Sequence, residues 1–396
     1  MNKTIKTIVS LLLLLVALPT QAQVSSQNGW YATNKTQDLA LIYFGASWRN
    51  KWTVDDFKPI VTHTFIDGHT DWFFPGFLFL ELDYNGKTIG LGFGKENATR
   101  LDWEKYINQH FMADRGFHAL DECIEQYKRI IGPPPFKHKI VVVIPTPVKD
   151  FMDWGKANGR NLYFSRDNDR VAAVKWYIDT FLARWRQEKF KNIELDGFYW
   201  NEESTRGVAS IVRPVSEVVH KTGLLFYWIP YFNAYGALSW RELGFDIAYL
   251  QPNYFFRAGR LDKSRLEETC QTARQYGMGL EFEFDHQYFD DKNTFYPRAI
   301  DYLDSYERNG VWQYSAVAYY FGAKTLNQLA ASNELIDKQL LDRWAGYVVE
   351  RNNRNRQQQA TKNYNIQSES NKTQYGRTPP NLKRGNRKLN PEDWRF

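Results

Sequence analysis

The chain contains only two cysteines among its 396 residues, Cys123 and Cys270, and each lies within its own helix-like stretch. Two cysteines cannot build the disulfide network that holds small exported domains together. They form no Cys-x-x-Cys pair, and the seven histidines form no His-Glu-x-x-His pattern, so the common zinc sites are excluded. We therefore predict two buried, unbridged cysteines and a protein that needs no metal ion or cofactor.

Long apolar runs are also scarce, and the one that stands out, from Ile8 to Leu18, follows Lys3 and Lys6 and precedes Thr20-Gln21-Ala22. A run of about a dozen residues is too short to cross about 30 Å of hydrocarbon. The order of charged, apolar and small residues is typical of a cleaved secretory signal peptide, predicted here as residues 1–22. No cysteine near the cut offers a lipid attachment point. The sequence predicts a periplasmic or secreted protein without a stable membrane anchor.

The net charge of +6 is distributed unevenly along the chain. Residues 351–396 hold 11 Lys or Arg against 3 Asp or Glu, and the body between the signal peptide and this tail carries −4. The tail is rich in Asn, Gln, Arg and Lys and too poor in apolar residues to bury a core, so we predict a disordered basic extension. Because nothing in the body repeats the basic charge, we expect no nucleic-acid binding.

Eight short apolar or aromatic segments recur along the body, separated by longer stretches with helical periodicity. Several are nearly continuous apolar runs, as is typical of parallel strands that are covered on both faces. The predicted strands are Leu39–Phe44, Phe77–Leu82, Ile140–Ile144, Ile193–Trp200, Leu224–Ile229, Ile247–Leu250, Met278–Phe284 and Val311–Tyr319.

Alternating strands and helices predict parallel pairing, and eight such units are the number in a (β/α)₈ TIM-like barrel, an α/β fold. We assign the barrel to residues 23–350 and predict that Gly86–Phe111 is an inserted loop over one mouth. The alternative is an open doubly wound sheet, which the absence of a glycine-rich loop after the first strand disfavours. The predicted helices include Arg115–Ile131, Asp169–Glu188, Arg265–Tyr276, Pro297–Arg308 and a closing helix, Leu326–Val349.

The strongest indication of a functional site is the acidic seventh strand, Glu281-Phe282-Glu283-Phe284-Asp285. Because side chains alternate along a strand, its three acids share one face. Acids that face a barrel interior are costly unless they are hydrated, paired or functional. The alternative is a surface strand with a solvated acidic face. On the fourth strand, the same alternation places Asp196, Trp200 and Glu202 on one face.

Two carboxyl groups that face each other across the C-terminal mouth of a barrel suit glycoside hydrolysis. One acid protonates the leaving oxygen, and the other attacks the anomeric carbon or activates water. Aromatic faces stack on sugar rings, while amides hydrogen-bond to hydroxyl groups. An acidic cluster could instead hold Ca²⁺ or Mg²⁺, but no compact loop of alternating acids is present. The predicted substrate-binding residues are Trp48, Asn201, Trp200, Trp228, Tyr231, Gln251, Asn253 and Tyr254.

The Asn201-Glu202 pair after the fourth strand, with Glu283 on the seventh, resembles the retaining (β/α)₈ glycoside hydrolases. This resemblance implies that Glu202 is the acid/base and that Glu283 is the nucleophile. If the strand phase is shifted by one pair, the substitutes are Glu281, Asp196 and Glu203.

Six further segments, in order along residues 38–345, resemble a bacterial family of unknown function, number 4855. The resemblance implies an exported, glycosidase-like barrel without an established reaction. The segments are Phe77-Leu78-Phe79-Leu80-Glu81, Asp196-Gly197-Phe198-Tyr199-Trp200, Ile229-Pro230-Tyr231, Gly244-Phe245-Asp246, Gln251-Pro252-Asn253-Tyr254-Phe255 and Gly277-Met278-Gly279-Leu280-Glu281.

Three hypotheses about function stay open on the sequence alone. The first is an exported glycoside hydrolase that acts on a carbohydrate polymer or oligosaccharide outside the cell or in its envelope. The second is a non-catalytic carbohydrate-binding barrel that uses the same aromatic residues. The third is a surface-assembly protein that makes contact through the basic tail.

Overall fold

Eight parallel strands close into a single barrel in the computed structural model, which describes residues 37–45 and 51–375. The strands follow one another around the barrel in chain order, and the last pairs with the first. This confirms the predicted (β/α)₈ barrel. The predicted signal peptide, residues 1–22, lies outside the described residues. The barrel strands are β1 (Asp38–Tyr43), β2 (Gly76–Leu80), β3 (His138–Ile144), β4 (Ile193–Trp200), β5 (Leu225–Trp228), β6 (Ile247–Leu250), β7 (Gly279–Glu283) and β8 (Val317–Tyr320).

Helices cover the outside of the barrel, as the alternating pattern predicts. Those of eight or more residues, within the described part of the chain, are α1 (Val54–Val61), α2 (Arg100–His110), α3 (Gly116–Ile131), α4 (Asp167–Trp185), α5 (Ala209–His220), α6 (Ser264–Tyr276), α7 (Lys292–Arg308) and α8 (Leu335–Tyr375). Shorter helical segments are Ala237–Ser239, Gln287–Asp290, Val311–Tyr314 and Thr325–Ala330.

The third β/α unit illustrates how local sequence determines these elements. Strand β3 has the sequence HKIVVVI, in which residues 140–144 are all buried, because a parallel strand is covered on both faces. The helix before it, α3, ends at Ile131 because Gly132 adopts a φ of +83° and three prolines follow. Proline has no amide hydrogen to donate, so the helix cannot continue.

Two predicted elements near the C-terminus differ from the structure. Residues 311–314 form a helical turn rather than the start of the eighth strand, which begins at Val317. That turn packs Trp312 in parallel on Tyr347 of α8, with ring centroids 4.8 Å apart. The predicted closing helix, Leu326–Val349, is instead two helices, Thr325–Ala330 and α8.

The segment predicted as the inserted loop, Gly86–Phe111, contains regular structure. Its first part belongs to a small sheet of the strands Asp83–Tyr84, Lys87–Thr88 and Glu96–Asn97. Its second part is α2, which begins at a capping box formed by Thr99 and Asp102. Two further hairpins lie outside the barrel, Thr62–Thr64 with Thr70–Trp72 and Gly155–Ala157 with Arg160–Leu162.

The last helix, α8, includes residues that the sequence assigned to the tail. These residues pack against the N-terminal end of the barrel. Arg351 is buried and forms an ion pair with the buried Asp38 of β1 at 3.1 Å. Asn352 donates to the carbonyl oxygen of Phe73 at 2.8 Å. Since α8 continues to Tyr375, the predicted boundary at residue 350 falls inside a helix. Residues 376–396 lie outside the described part of the chain.

Cys123 and Cys270 are both buried and unbridged, as the sequence predicts. Among the described residues, no helix combines the length and apolarity that a membrane span requires.

Candidate active site

Acidic and phenolic side chains from non-neighbouring strands meet inside the barrel, toward its C-terminal end. The charges of Glu203 and Glu281 both raise the pKa of Tyr43 and of Tyr199, after the larger effect of burial. Tyr43 belongs to β1, Tyr199 to β4 and Glu281 to β7. Because other strands separate these three in the barrel wall, they can interact only across its interior. This group is the candidate site.

A β-bulge in β4 determines which side chains reach this interior. Leu195 pairs with Ile140 of β3 and Gly197 pairs with the next residue, Val141, so Asp196 is an extra residue in the strand. An extra residue reverses the alternation of every side chain that follows it. Tyr199 consequently faces inward, while Phe198 packs against Phe181 of α4 with ring centroids 5.8 Å apart.

The bulge makes the prediction for Trp200 wrong, because this ring lies on the same outer face as Phe198. Trp200 is 1% exposed and contacts Phe226 of β5. Trp228 is fully buried, stacks on Phe245 at 4.7 Å and donates its indole N–H to the carbonyl oxygen of Glu202 at 2.7 Å. Neither ring is available to a sugar.

Tyr254 is also a residue of the protein core rather than a binding surface. Its hydroxyl donates to Asp301 at 2.7 Å, and the guanidinium of Arg298 lies 3.6 Å from the centre of its ring. The ring is 3% exposed. These contacts hold the chain after β6 against α7 and correct the prediction that Tyr254 binds substrate.

Asp196, predicted as a catalytic substitute, lies in a polar network toward the opposite end of the barrel. It accepts a hydrogen bond from the Tyr227 hydroxyl and lies 3.2 Å from the Lys139 ammonium group, which also pairs with Glu194. Lys139 and Glu194 are the second residues of β3 and β4, so this network lies near the N-terminal ends of the strands. Asp196 is therefore a paired structural carboxylate.

Glu281 is the most strongly perturbed acid of the site. It is 4% exposed, and burial raises the pKa of its carboxyl group well above the usual range. The charges of Glu283 and Glu203 raise that pKa further. A buried carboxyl group beside other carboxylates favours its protonated form, because two like charges cannot be hydrated there.

Glu203 has a more moderate environment and is half-buried. Burial raises the pKa of its carboxyl group, the side-chain amide of Gln251 lowers it, and the charge of Glu202 raises it. Gln251 also donates to the carbonyl oxygen of Ile229 at 3.1 Å, which fixes the orientation of the amide. Gln251, predicted to bind substrate, therefore lies beside Glu203.

Glu283, the predicted nucleophile, is saturated by donors from the protein. Its carboxylate accepts the backbone N–H groups of Asn253 at 2.7 Å and Phe255 at 3.1 Å, and also the hydroxyl of Tyr302. Burial raises the pKa of Glu283, and these hydrogen bonds oppose that effect. Asn253 has a φ of +54° and contributes its backbone to this arrangement. Glu283 thus holds the loop after β6 in place.

Glu202, the predicted acid/base, is hydrogen-bonded to the inserted segment and to the loop after β3. One carboxylate oxygen accepts the Thr146 hydroxyl at 2.7 Å and the backbone N–H of Leu91 at 3.1 Å. The neighbouring Asn201 is buried and donates to the carbonyl oxygen of Glu81 at 3.0 Å. The Asn201-Glu202 pair therefore fastens the inserted segment to the barrel, and the next residue, Glu203, reaches the interior.

The remaining predicted residues have varied positions. Asp285, expected to share a face with Glu281, instead caps the turn at Gln287, whose N–H it accepts at 2.9 Å. Tyr231 is half-buried and forms an isolated backbone bridge with Gln251 beside the site. Trp48 lies outside the described residues.

The inward orientation of Tyr199 was missed in the sequence, because the bulge that turns it inward leaves no readable signal. Tyr320 at the end of β8 lies edge-on to Tyr43, with ring centroids 5.8 Å apart. Among the described residues, no group of three or more His, Cys, Asp or Glu is arranged to hold a metal ion. The acids and phenols of the site are suited to hold, donate and accept protons.

Residues 38–345 match the model of a family described as a domain of unknown function, DUF4855. No curated protein matches the sequence.

Solved structures are similar at low identity. The PgaB (BpsB) glycoside hydrolase domain from Bordetella bronchiseptica has a TM-score of 0.37 and 8% identity, over 78% of this chain and 98% of that one. CbXyn10B has a TM-score of 0.35 and 14% identity, over 71% and 84%. The carboxyl transferase domain of Rhizobium etli pyruvate carboxylase has a TM-score of 0.36 and 10% identity over 80% of this chain, which spans 48% of that protein's length.

Proposed function

The chain belongs to the DUF4855 family over residues 38–345, and we propose that it is a glycoside hydrolase with Glu203 and Glu281 as its acid pair. The observation that supports this proposal is that, after burial and the charge of Glu283, the charge of Glu203 also raises the pKa of Glu281 across the C-terminal end of the barrel. In (β/α)₈ enzymes that end carries the active site. Cleavage of a glycosidic bond needs one protonated and one ionised carboxyl group on either side of the bond.

The roles of the two acids follow from their environments. Glu281 is the more deeply buried, and neighbouring acids raise its pKa, so it keeps its proton and donates it to the leaving oxygen. Glu203 is half-buried and receives the Gln251 amide, which stabilises its anion, so it attacks the anomeric carbon or activates water. This assignment reverses the roles that the Asn201-Glu202 resemblance implies for strands four and seven.

We also propose that the protein acts outside the cytoplasm, in the periplasm or after secretion, on an extracellular or cell-envelope glycan. This rests on the charged, apolar and small-residue order of residues 1–22. Fusion of these residues to a reporter enzyme that is active only outside the cytoplasm tests this localisation. Loss of export after Leu12 and Leu13 are replaced by aspartate is the expected result, whereas unchanged export contradicts a signal peptide.

A polysaccharide-digestion screen, with release of reducing ends as the readout, tests the activity. We expect E203Q and E281Q to reduce the rate about 10²- to 10⁴-fold, the usual contribution of acid–base catalysis. The matched control is E202Q, which removes a charge at the adjacent position and should keep activity within about threefold, since Gln retains the acceptor oxygen. Full activity in E281Q on a glycan that the wild type cleaves would falsify the proposal.

Azide added to E203A distinguishes the roles of the two acids if the mechanism is retaining. If Glu203 is the nucleophile, azide attacks the anomeric carbon as the leaving group departs, which gives a glycosyl azide of inverted configuration. If Glu203 is the acid/base, the product has retained configuration. Glycan binding without bond cleavage by the wild type would instead favour the carbohydrate-binding barrel.

A further inference from the structure

The loop that carries Glu203 continues into a cavity at the C-terminal end of the barrel. Two residues further on, Thr205 is buried and donates both its backbone N–H, at 3.0 Å, and its hydroxyl, at 2.9 Å, to the carbonyl oxygen of Tyr235. These bonds join the loops after β4 and β5. A cavity of about 410 Å³ lies there, lined by Thr205, Arg206, Gly207, Ala209, Ser210 and Tyr235.

The two large side chains of this cavity are both open to solvent. Tyr235 is 59% exposed, and the Arg206 guanidinium is 6.0 Å from the centre of its ring. Within the described residues Arg206 forms no ion pair, although it lies three positions after Glu203 in a body whose net charge is −4. An exposed arginine and aromatic pair stabilises a fold only weakly. The contribution of this pair to the stability of the fold therefore does not explain why both side chains lie exposed at the cavity.

We propose that this cavity is a subsite for an anionic sugar unit, a pyranose that carries a carboxylate or a sulfate group. The aromatic face of Tyr235 stacks on the apolar face of the sugar ring. The planar guanidinium of Arg206 donates two parallel hydrogen bonds to the anionic group, a geometry that lysine cannot match. The inference rests on the proposed function, because Arg206 lies three residues after Glu203 in the same loop.

The experiment is a binding array that carries glycans rich in uronic acid, sulfated glycans, and their carboxyl-reduced and desulfated counterparts. It is probed with the full-length wild type and with R206Q, R206K, Y235A and R186Q. R186Q is the matched control, since Arg186 is an exposed arginine at the far end of α4. Comparison of each acidic glycan with its neutralised counterpart separates the carboxylate from the sulfate.

We expect the wild type to prefer anionic glycans, and R206Q to bind them at least about tenfold more weakly while its binding to neutral glycans is unchanged. R206K should recover only part of the affinity, and R186Q should behave as the wild type does. The proposal is overturned if the wild type binds no anionic glycan, or if R206Q and R186Q weaken binding equally, which would indicate a general charge effect.

Failure of this inference can be distinguished from failure of the hydrolase proposal. Anionic binding that depends on Arg206, with no cleavage by the wild type, leaves the subsite in place and removes the enzyme. Cleavage that depends on Glu203 and Glu281 but is unchanged in R206Q would support the hydrolase and overturn the anionic subsite.

Discussion

Glu203, in the loop after β4, adds to the effects of burial and of the Glu283 charge in raising the pKa of Glu281 on β7, although β5 and β6 separate the two strands in the barrel wall. The interaction therefore crosses the interior, where Tyr43 and Tyr199 also meet both acids. Glu281 is buried without an ion-pair partner among the described residues, and the desolvation of its carboxyl group costs free energy. The cost is a reason to read the cluster as functional.

The buried acid should lower stability in a pH-dependent way. The folded-state pKa of Glu281 is raised above its unfolded value, so the folded state favours the protonated acid. Its contribution to stability is present at low pH and is lost as pH rises above about 4.5. E281Q mimics the protonated acid, so we expect its free energy of unfolding to exceed that of the wild type at pH 8. Urea unfolding at pH 4 and pH 8 measures this, and an equal difference at both pH values contradicts it.

Glu202 should stabilise the position of the inserted segment rather than take part in catalysis. E202L leaves the N–H of Leu91 without its acceptor, which costs about 1–3 kcal/mol and should loosen the inserted segment. Hydrogen exchange of residues 86–97 should therefore increase in E202L and stay unchanged in E202Q. T146V removes the other donor to Glu202 and should have an intermediate effect. If E202Q and E202L lose activity equally, Glu202 has a chemical role after all.

Gly90 should be intolerant of any side chain. A Cβ atom at this position would lie well inside van der Waals contact of the Asn201 amide. We expect G90A to displace Asn201 and lower the free energy of unfolding by about 1–3 kcal/mol. G346A is the control, because nothing lies within 4 Å of a Cβ atom there and alanine favours a helix by about 0.5–1 kcal/mol. Chemical denaturation of both variants tests whether the free energy of unfolding falls in G90A and rises in G346A.

His138 should make the protein sensitive to acid. It is fully buried against Phe77, and burial lowers its pKa from 6.5 to about 3. A base with a lowered folded-state pKa contributes stability above its unfolded pKa, and this is lost as pH falls from about 6.5 toward 3. The H138F variant keeps an aromatic ring at this position but has no group that titrates. We expect the wild type to lose about 3 kcal/mol more than H138F between pH 7.5 and pH 4. Parallel pH profiles of unfolding would contradict this.

The position of the chain end should decide whether the barrel is stable. A chain that stops at residue 350 lacks Arg351 and leaves the buried Asp38 with the Tyr319 hydroxyl but without its ion-pair partner, which costs about 3–5 kcal/mol. A chain that stops at residue 360 keeps that ion pair and the bond from Asn352 to Phe73. We expect the shorter chain to melt at a clearly lower temperature, or to be insoluble, and the longer chain to match the full-length protein. Equal melting temperatures would show that Arg351 is dispensable.

Local patterns in the sequence were sufficient for the architecture. Eight apolar runs separated by helical periodicity give a parallel barrel, because alternating strands and helices leave few other ways to bury both faces. Ile193–Trp200 and Ile247–Leu250 were predicted with their observed bounds. Helix ends at Gly132 and its following prolines were also readable, since those residues restrict the backbone wherever they occur.

Which acids face the interior was decided only by tertiary structure. Alternation along β4 is readable from the sequence, but the bulge at Asp196 depends on how β4 pairs with β3, and it reversed the phase from Gly197 onward. It separated Glu203 from Glu202 in role, turned Tyr199 inward and sent Trp200 into the core. Likewise, Glu281 and Glu283 have the same residue type two positions apart, and only the donors around Glu283 distinguish them. A sequence determines the period of its strands, whereas contacts between distant segments determine the phase and partner of each side chain.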